Sequence, residues 1–433
     1  MWWEIPRSLE VRNHELFIGG LRSKDLAEKY GTPLYITDGS RIEENYNRLF
    51  RSIQQYLKRK LVVHYSIKAN SNMAILNLLR RRGSSVDATS PFEVQIAIKV
   101  GFTRDQIICT GTSFSDNDMI AVADKCIMNI DSMSQLKRFA HLVKTKGFNN
   151  TVSIRVNPGK GVGHCPECIT AGEDAKYGIP EQEAFLAFEK ALEYGLKPIG
   201  IHQHLGSGIL SPDLEVFYQS ENKLLDLAVK IKNKLKIDLK FIDFGGGLGI
   251  PYTASDTAID IKVFGERFSQ IIETSSLQHR LGDFDVYLEP GRFIVGDSTV
   301  LLMKVVDVNQ KYLNELGVDA GFNVFDRPAR YKTYHEIVNV SKADVTPTQL
   351  YRVSGNLCES GDVFTENKHA LRKLPVSEEG DYLAILNTGA YGSSMSSNYN
   401  MRPRAREIMI YDGKIKIMRK RDDFEDIIRN QRK

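Results

Sequence analysis

The sequence predicts an α/β chain: a (β/α)8 barrel of the TIM type followed by a C-terminal antiparallel β domain. Three observations predict it. Eight short apolar, β-branched runs recur between residues 61 and 290. Stretches with a 3.6-residue apolar period separate most of them. Beyond about residue 305 the long helical periods give way to short β segments punctuated by turn residues. Strands that alternate with helices build a parallel sheet, and eight such units in ~250 residues match a closed barrel. A doubly wound open sheet is the competing arrangement.

The strand candidates are LVVHYSI (61–67), SSVDA (84–88), QIICTG (106–111), CIMNID (126–131), TVSIRV (151–156), PIGIHQHL (198–205), LKFIDFGGG (239–247) and FDVYLEP (284–290). The first helix, 41–57, places Ile42, Tyr46, Leu49, Phe50 and Ile53 on one stripe. The same spacing predicts helices over 73–81, 91–100, 116–123, 133–143, 181–194, 214–235 and 261–272. Pro91 after Ser90, and Pro180 before Glu181, mark two helix starts. KVVDVNQ, IVNVS, LYRVSG, YLAILN, EIMIYD and KIKIMR are the later β segments. The expected organisation is an N-terminal β segment (1–36) that packs with the C-terminal domain, a barrel (37–305) and a β domain (306–433).

Composition narrows the function classes. Of 433 residues, 42% are hydrophobic and 26% charged, the proportions of a globular chain that buries a core without disulfide staples. A balance of 58 basic against 54 acidic residues leaves +4, evenly spread, with no footprint for nucleic acid or a membrane surface. Five Cys in a chain this long point to a reducing compartment. MWWEIPRSLEV lacks the apolar stretch of a signal peptide, and no run approaches the ~18 apolar residues of a membrane span. A cytoplasmic protein is expected.

A barrel presents its catalytic groups at the C-terminal ends of its strands. Lys68 stands there on the first strand, where an apolar setting can strip its charge and make it a Schiff-base nucleophile; the plainer reading is an exposed strand-end lysine. Asp243-Phe244-Gly245-Gly246-Gly247-Leu248-Gly249 follows the seventh strand, and its bare N–H groups suit a phosphate, although a tight turn explains them equally. Ile250 breaks a dinucleotide fingerprint, and no Gly-Lys-Ser/Thr follows to make a Walker loop. His202 and His204 share one face of the sixth strand, ahead of Gly206-Ser207-Gly208; no third ligand has metal-site spacing, and no metal is expected. Glu289-Pro290-Gly291-Arg292 ends the eighth strand, either as a structural ion pair or as a Glu that keeps a ring nitrogen protonated beside an Arg for an acidic substrate. Cys358-Glu359-Ser360-Gly361-Asp362 and residues 389–404 are small, polar segments of the kind functional loops use. His164-Cys165-Pro166-Glu167-Cys168 (164–168) carries a lone CxxC, which excludes a zinc ribbon; a partial metal site and a redox pair stay open, and two plain thiols are the expectation.

From about Thr32 to Arg404 the motifs HYSIKAN, VDATSPFEVQIAIKVGF, RVNPG, KYGI, HQHLGSG, DFGGGLGIPY, EPGR, VDAGFNVFDRPARYKTYH, CESGD and GAYGSSMSSNYNMRPR resemble, in order and spacing, the fold-type III pyridoxal-phosphate decarboxylases. The resemblance implies an alanine racemase-like fold and pyridoxal 5'-phosphate as cofactor. It implies decarboxylation of meso-2,6-diaminopimelate to L-lysine and CO2, the last step of lysine biosynthesis. A sibling decarboxylase of another diamino or carboxylated amino acid, and an inactive homologue that binds a partner, are the alternatives. Residue by residue, it implies that Lys68 carries the cofactor with Asp87 beside it, that His204 stacks on the ring and that Glu289 pairs with the ring nitrogen. Ser207, Gly246, Gly247, Gly291 and Tyr391 would surround the phosphate, with Tyr391 also at the substrate. Arg292, Arg327 and Tyr331 would bind the substrate's distal carboxylate. Cys358 would donate a proton and Glu359 would contact the distal amino group, both from the second subunit of a homodimer. Four positions depart from the family pattern: Gly208, Asn356, Arg330 and the Cys loop at 164–168.

Overall fold

The computed structural model describes residues 1–310, 312–367 and 369–432. They form two compact units, one of Asn45–Ile250 with Thr257–Phe293, the other of Met1–Glu44, Pro251–Asp256 and Ile294–Lys433. The sequence boundary at 305 falls inside a twelve-residue strand, Thr299–Gln310, that belongs wholly to the second unit.

The first unit is a closed parallel barrel. Its strands are Leu61–Ser66, Ser85–Ala88, Ile107–Thr110, Ile127–Ile130, Thr151–Asn157, Lys197–Gln203, Phe241–Gly246 and Asp285–Glu289. Each pairs in parallel with its neighbours, the eighth returns to the first, and the fourth pairs with the fifth, so no open edge is left. That closure excludes the doubly wound alternative. Three helices, Met73–Arg81, Pro91–Val100 and Leu214–Leu235, have the predicted ends. Ser90 caps the second by accepting from the Glu93 N–H, with Pro91 in its first turn. Ile261–His279 runs seven residues beyond the predicted end, because the polar stretch 273–279 hides its last turns. Ile108, Ile127, Phe241 and Tyr287 fill one layer of the interior. Gly200 makes room for it: a Cβ there would lie 2.2 Å from the Phe241 ring. Two residues beyond Val62, Gly200, Phe241 and Tyr287 on their strands, His64, His202, Asp243 and Glu289 form a buried polar layer toward the C-terminal ends.

The second unit is a mixed sheet, where the sequence led us to expect an antiparallel one. Its main path runs Arg372–Pro375, Thr348–Ser354, Asn314–Val318, Thr299–Gln310, Leu34–Asp38, Arg406–Tyr411 and Lys414–Arg419. Leu34–Asp38 pairs in parallel with Arg406–Tyr411, and Asn314–Val318 with Thr348–Ser354. Parallel neighbours need long crossovers, which segment-by-segment patterning does not reveal. A three-stranded sheet and a helix, Ser23–Tyr30, precede it. Leu9, Leu16 and Ile18 from that part share a core with Leu34, Val300, Leu302 and Ile408. No helix among the described residues is long and apolar enough to cross a membrane.

Candidate active site

The polar layer opens into a cavity of about 280 Å³ at the C-terminal ends of the barrel strands, lined by Lys68, Asp87, Arg155, Tyr177, His202, His204 and Glu289 among others. Lys68 follows the first strand in a short turn, Ile67–Ala69. Its Nζ donates to Asp87 Oδ2 at 2.6 Å, and the same oxygen accepts from Ser66 Oγ at 3.1 Å. Asp87 is fully buried; burial and then the Glu289 charge push its carboxyl up, against the pull of Lys68.

Glu289 is the electrostatic centre. Its Oε2 lies 3.1 Å from His202 Nε2. Burial alone would raise its carboxyl, but the charge and hydrogen bond of His202, with the charge of Lys68, outweigh burial and hold it below the usual carboxylate range. Asp243 responds in the opposite sense. Burial and the Glu289 charge raise it well above that range, so of the two neighbouring carboxyls Glu289 is the ionised one. His204 Nδ1 accepts from the Gly246 N–H at 3.0 Å, which places its proton on Nε2. Burial and the Lys68 charge keep this imidazole well below its ordinary value, so it is neutral. Its 3.9 Å approach to Glu289 is therefore not an ion pair.

Glycine carries the loops around this centre. A Cβ on Gly246 would meet the Glu289 carbonyl at 1.9 Å, and one on Gly247 would meet the Gly206 carbonyl at 2.4 Å. Gly291 is buried, and Arg292, 3% exposed, donates from Nη2 to Ser207 Oγ at 3.1 Å. The residues fit a pyridine-ring cofactor on one observation above all: Glu289 Oε1 is buried and has no hydrogen-bond partner among the described residues. A protonated ring nitrogen is a donor that would satisfy it.

The remaining candidates belong to the β unit. Arg327 opens the short helix Arg327–Tyr331 and is 1% exposed. Its Nε donates to His335 Nε2 at 3.3 Å, while His335 Nδ1 donates to the Leu386 carbonyl at 2.9 Å. Its guanidinium lies over the Tyr252 and Tyr331 rings. Arg330, a departure from the family pattern, is exposed and paired with Asp326 at 2.6 Å. Cys358 and Glu359 sit exposed on a turn built by Asp362, whose carboxylate accepts from the Leu357 and Phe322 N–H groups, both at 2.7 Å. Cys358 is a free thiol, with its N–H on Asn400 Oδ1. Tyr391 holds a φ of 57°, a left-handed conformation rare outside glycine.

Sequence reasoning left His64, His202 and Asp243 of the polar layer, and Arg155 and Tyr177 among others of the cavity wall, without a role. Strand alternation had put His202 on the face of His204, but its contact with Glu289 needs the closed barrel. One expectation is corrected. Cys165 and Cys168 are joined in a disulfide, because the turn Pro166–Cys168 folds the two side chains onto each other.

A family model described as "Pyridoxal-dependent decarboxylase, pyridoxal binding domain" matches residues 43–296. The chain is 42% identical over 417 residues to a diaminopimelate decarboxylase of Methanothermobacter thermautotrophicus, covering 96% of this chain and 95% of that one. It is 35% identical to one of Archaeoglobus fulgidus, covering 96% and 97%. A solved diaminopimelate decarboxylase from M. jannaschii, in co-complex with L-lysine, has a TM-score of 0.87 at 31% identity over 97% and 96% of the two chains. One from Helicobacter pylori, also complexed with L-lysine, has a TM-score of 0.85 at 32% identity over 94% and 98%. Barrel, polar layer and likeness agree, and the chain belongs to the pyridoxal-dependent decarboxylase family, among its diaminopimelate decarboxylases.

Proposed function

We propose that this chain decarboxylates meso-2,6-diaminopimelate to L-lysine and CO2, and that it does so in the cytoplasm as a homodimer. The observation that carries the reading is the ionised, buried Glu289 with one oxygen unsatisfied, at the floor of a cavity that Lys68 enters. Pyridoxal phosphate, when bound, supplies the electron-accepting ring on which an α-carboxylate can leave.

The chain's own residues prepare that event. Lys68 Nζ would hold the cofactor, with Asp87, 2.6 Å away, as its neighbour for proton exchange. Glu289, kept ionised by His202, holds a proton on the ring nitrogen and so stabilises the charge that develops there. The neutral face of His204 supports the ring. Ser207, Gly246, Gly247, Gly291 and Tyr391 hold the phosphate. Cys358 returns a proton to Cα, and it and Glu359 act on the partner copy's site. Arg292, Arg327 and Tyr331 hold the distal carboxylate while Glu359 holds the distal ammonium, which sets diaminopimelate apart from monocarboxylic diamines. Arg330 does not favour the sibling reading, since Asp326 already takes its charge.

A CO2-release screen with meso-diaminopimelate, lysine, ornithine and arginine tests the proposal. Much more efficient turnover of any amino acid other than diaminopimelate would overturn it.

A further inference from the structure

The segment His164–Cys168 takes no part in the chemistry above, yet its donor atoms converge. The Cys168 N–H donates to the Cys165 carbonyl at 2.9 Å, and this tight turn brings the two sulfurs together. His164 Nε2 lies 3.8 Å from Cys165 Sγ and 3.5 Å from Cys168 Sγ. The other ring nitrogen, Nδ1, is 2.7 Å from the Ser207 carbonyl oxygen. A carbonyl only accepts, so Nδ1 carries the proton and Nε2 turns its lone pair to the sulfurs. Proteins fix metal-ligating imidazoles in this way, with one nitrogen anchored on a backbone carbonyl and the other aimed at the ion. The backbone is anchored as well. The His164 N–H donates to the same Ser207 carbonyl at 3.0 Å, and a Cβ on Gly208 would stand 2.3 Å from His164 Nδ1. All three donor atoms lie within 4.8 Å of one another, and His164 is exposed, so an ion can reach them.

We propose that, once the Cys165–Cys168 disulfide is reduced, His164 Nε2, Cys165 Sγ and Cys168 Sγ bind a thiophilic divalent cation of the zinc class. Two thiolates and an imidazole are the donors zinc prefers, and water completes the tetrahedron. The balance is simple. A dithiol, or a phosphine with water, supplies two electrons and two protons to open the disulfide into two thiols and is itself oxidised to the disulfide or phosphine oxide, and the cation then displaces the two thiol protons to solvent. The bound ion fastens the 164–168 segment against the Ser207 carbonyl, and the oxidised chain cannot hold it. The inference stands apart from the decarboxylase reading, because binding here needs neither cofactor nor substrate.

The test is a cobalt(II) titration of the full chain, reduced with a phosphine under nitrogen and desalted, followed by zinc. Thiolate-to-cobalt charge-transfer and tetrahedral visible bands should saturate at about one equivalent per chain, and zinc should bleach them. Cys165→Ser and His164→Ala, checked for folding by circular dichroism, should each weaken binding on the order of 100-fold. His164→Ala keeps both thiols, so it separates this site from plain dithiol chelation. Cys358→Ser should leave the bands unchanged. Absence of the bands in the reduced wild-type chain overturns the proposal, and so does equal binding by the oxidised chain or by Cys165→Ser.

Discussion

His202 Nε2 and Glu289 Oε2 meet at 3.1 Å inside the barrel, each side chain at most 2% exposed, and Glu289 Oε1 has no hydrogen-bond partner among the described residues. A buried carboxylate persists only where fixed donors replace its water. His202 is therefore read as the residue that keeps Glu289 ionised and aimed, rather than as a group that touches substrate.

Glu289→Gln follows from that contact. The amide keeps the shape and loses the charge, so kcat should fall by roughly 10²–10³-fold with a much smaller change in KM. Steady-state kinetics on saturated holoenzyme measures both. A kcat near that of the wild type would remove Glu289 from the ring-nitrogen role.

Cys358 is exposed on the β unit, and the proposed homodimer has it serve the partner copy's site. Mixing Lys68→Ala with Cys358→Ala chains should restore activity at about a quarter of all sites, given random exchange. Native mass spectrometry establishes the exchange; if mixed dimers form and stay inactive, the shared site is wrong.

Arg327 is buried, donates to His335 and lies over two tyrosine rings; in the proposed role a substrate without a distal carboxylate forgoes a charge-assisted contact with it. Losing a hydrogen bond to a charged group costs about 1.5–3 kcal/mol, roughly 10–100-fold in selectivity. Arg327→Ala should therefore shrink the preference for diaminopimelate over lysine, measured as a ratio of kcat/KM values. Equal losses on both substrates would show that Arg327 only supports the fold.

His64 gives a pH dependence of stability. It is completely buried, and burial pushes it down from 6.5 to about 4. Between those values the unfolded chain binds the proton and the folded one does not. The stabilisation is complete above pH 6.5 and is lost as pH falls toward 4, by about 1.4 kcal/mol per pH unit and about 3 kcal/mol in all. Denaturant titrations at pH 7 and 5 should show a smaller loss in His64→Leu than in the wild type. A loss of equal size in both would sink this assignment.

The barrel strands were legible because a parallel barrel buries both faces of each strand, which leaves near-continuous apolar runs such as LVVHYSI and QIICTG. Asn314–Val318 was not: NELGV puts Glu315 and Gly317 in a five-residue strand, and neither alternation nor apolar density marks it. Ser23–Tyr30 went unseen for a similar reason, being too short for a clear helical period among polar residues. At the site, alternation was enough to pair His202 with His204. Their convergence on Glu289, and the upward push on Asp243, exist only once strands six, seven and eight lie side by side. The Cys spacing at 164–168 fits a disulfide, a metal site or free thiols alike, and only the turn geometry tells that the sulfurs touch.

Leu34–Asp38 sits between Thr299–Gln310 and Arg406–Tyr411, with every residue buried. A ribosome delivers this strand before the barrel unit and both of its neighbours after it. Throughout the synthesis of the barrel unit the strand waits with both hydrogen-bonding edges bare, an apolar template open to any passing chain. The nascent protein thus carries an aggregation hazard at a point that the finished one seals. A message cut short before residue 406 would leave one of those edges open for good.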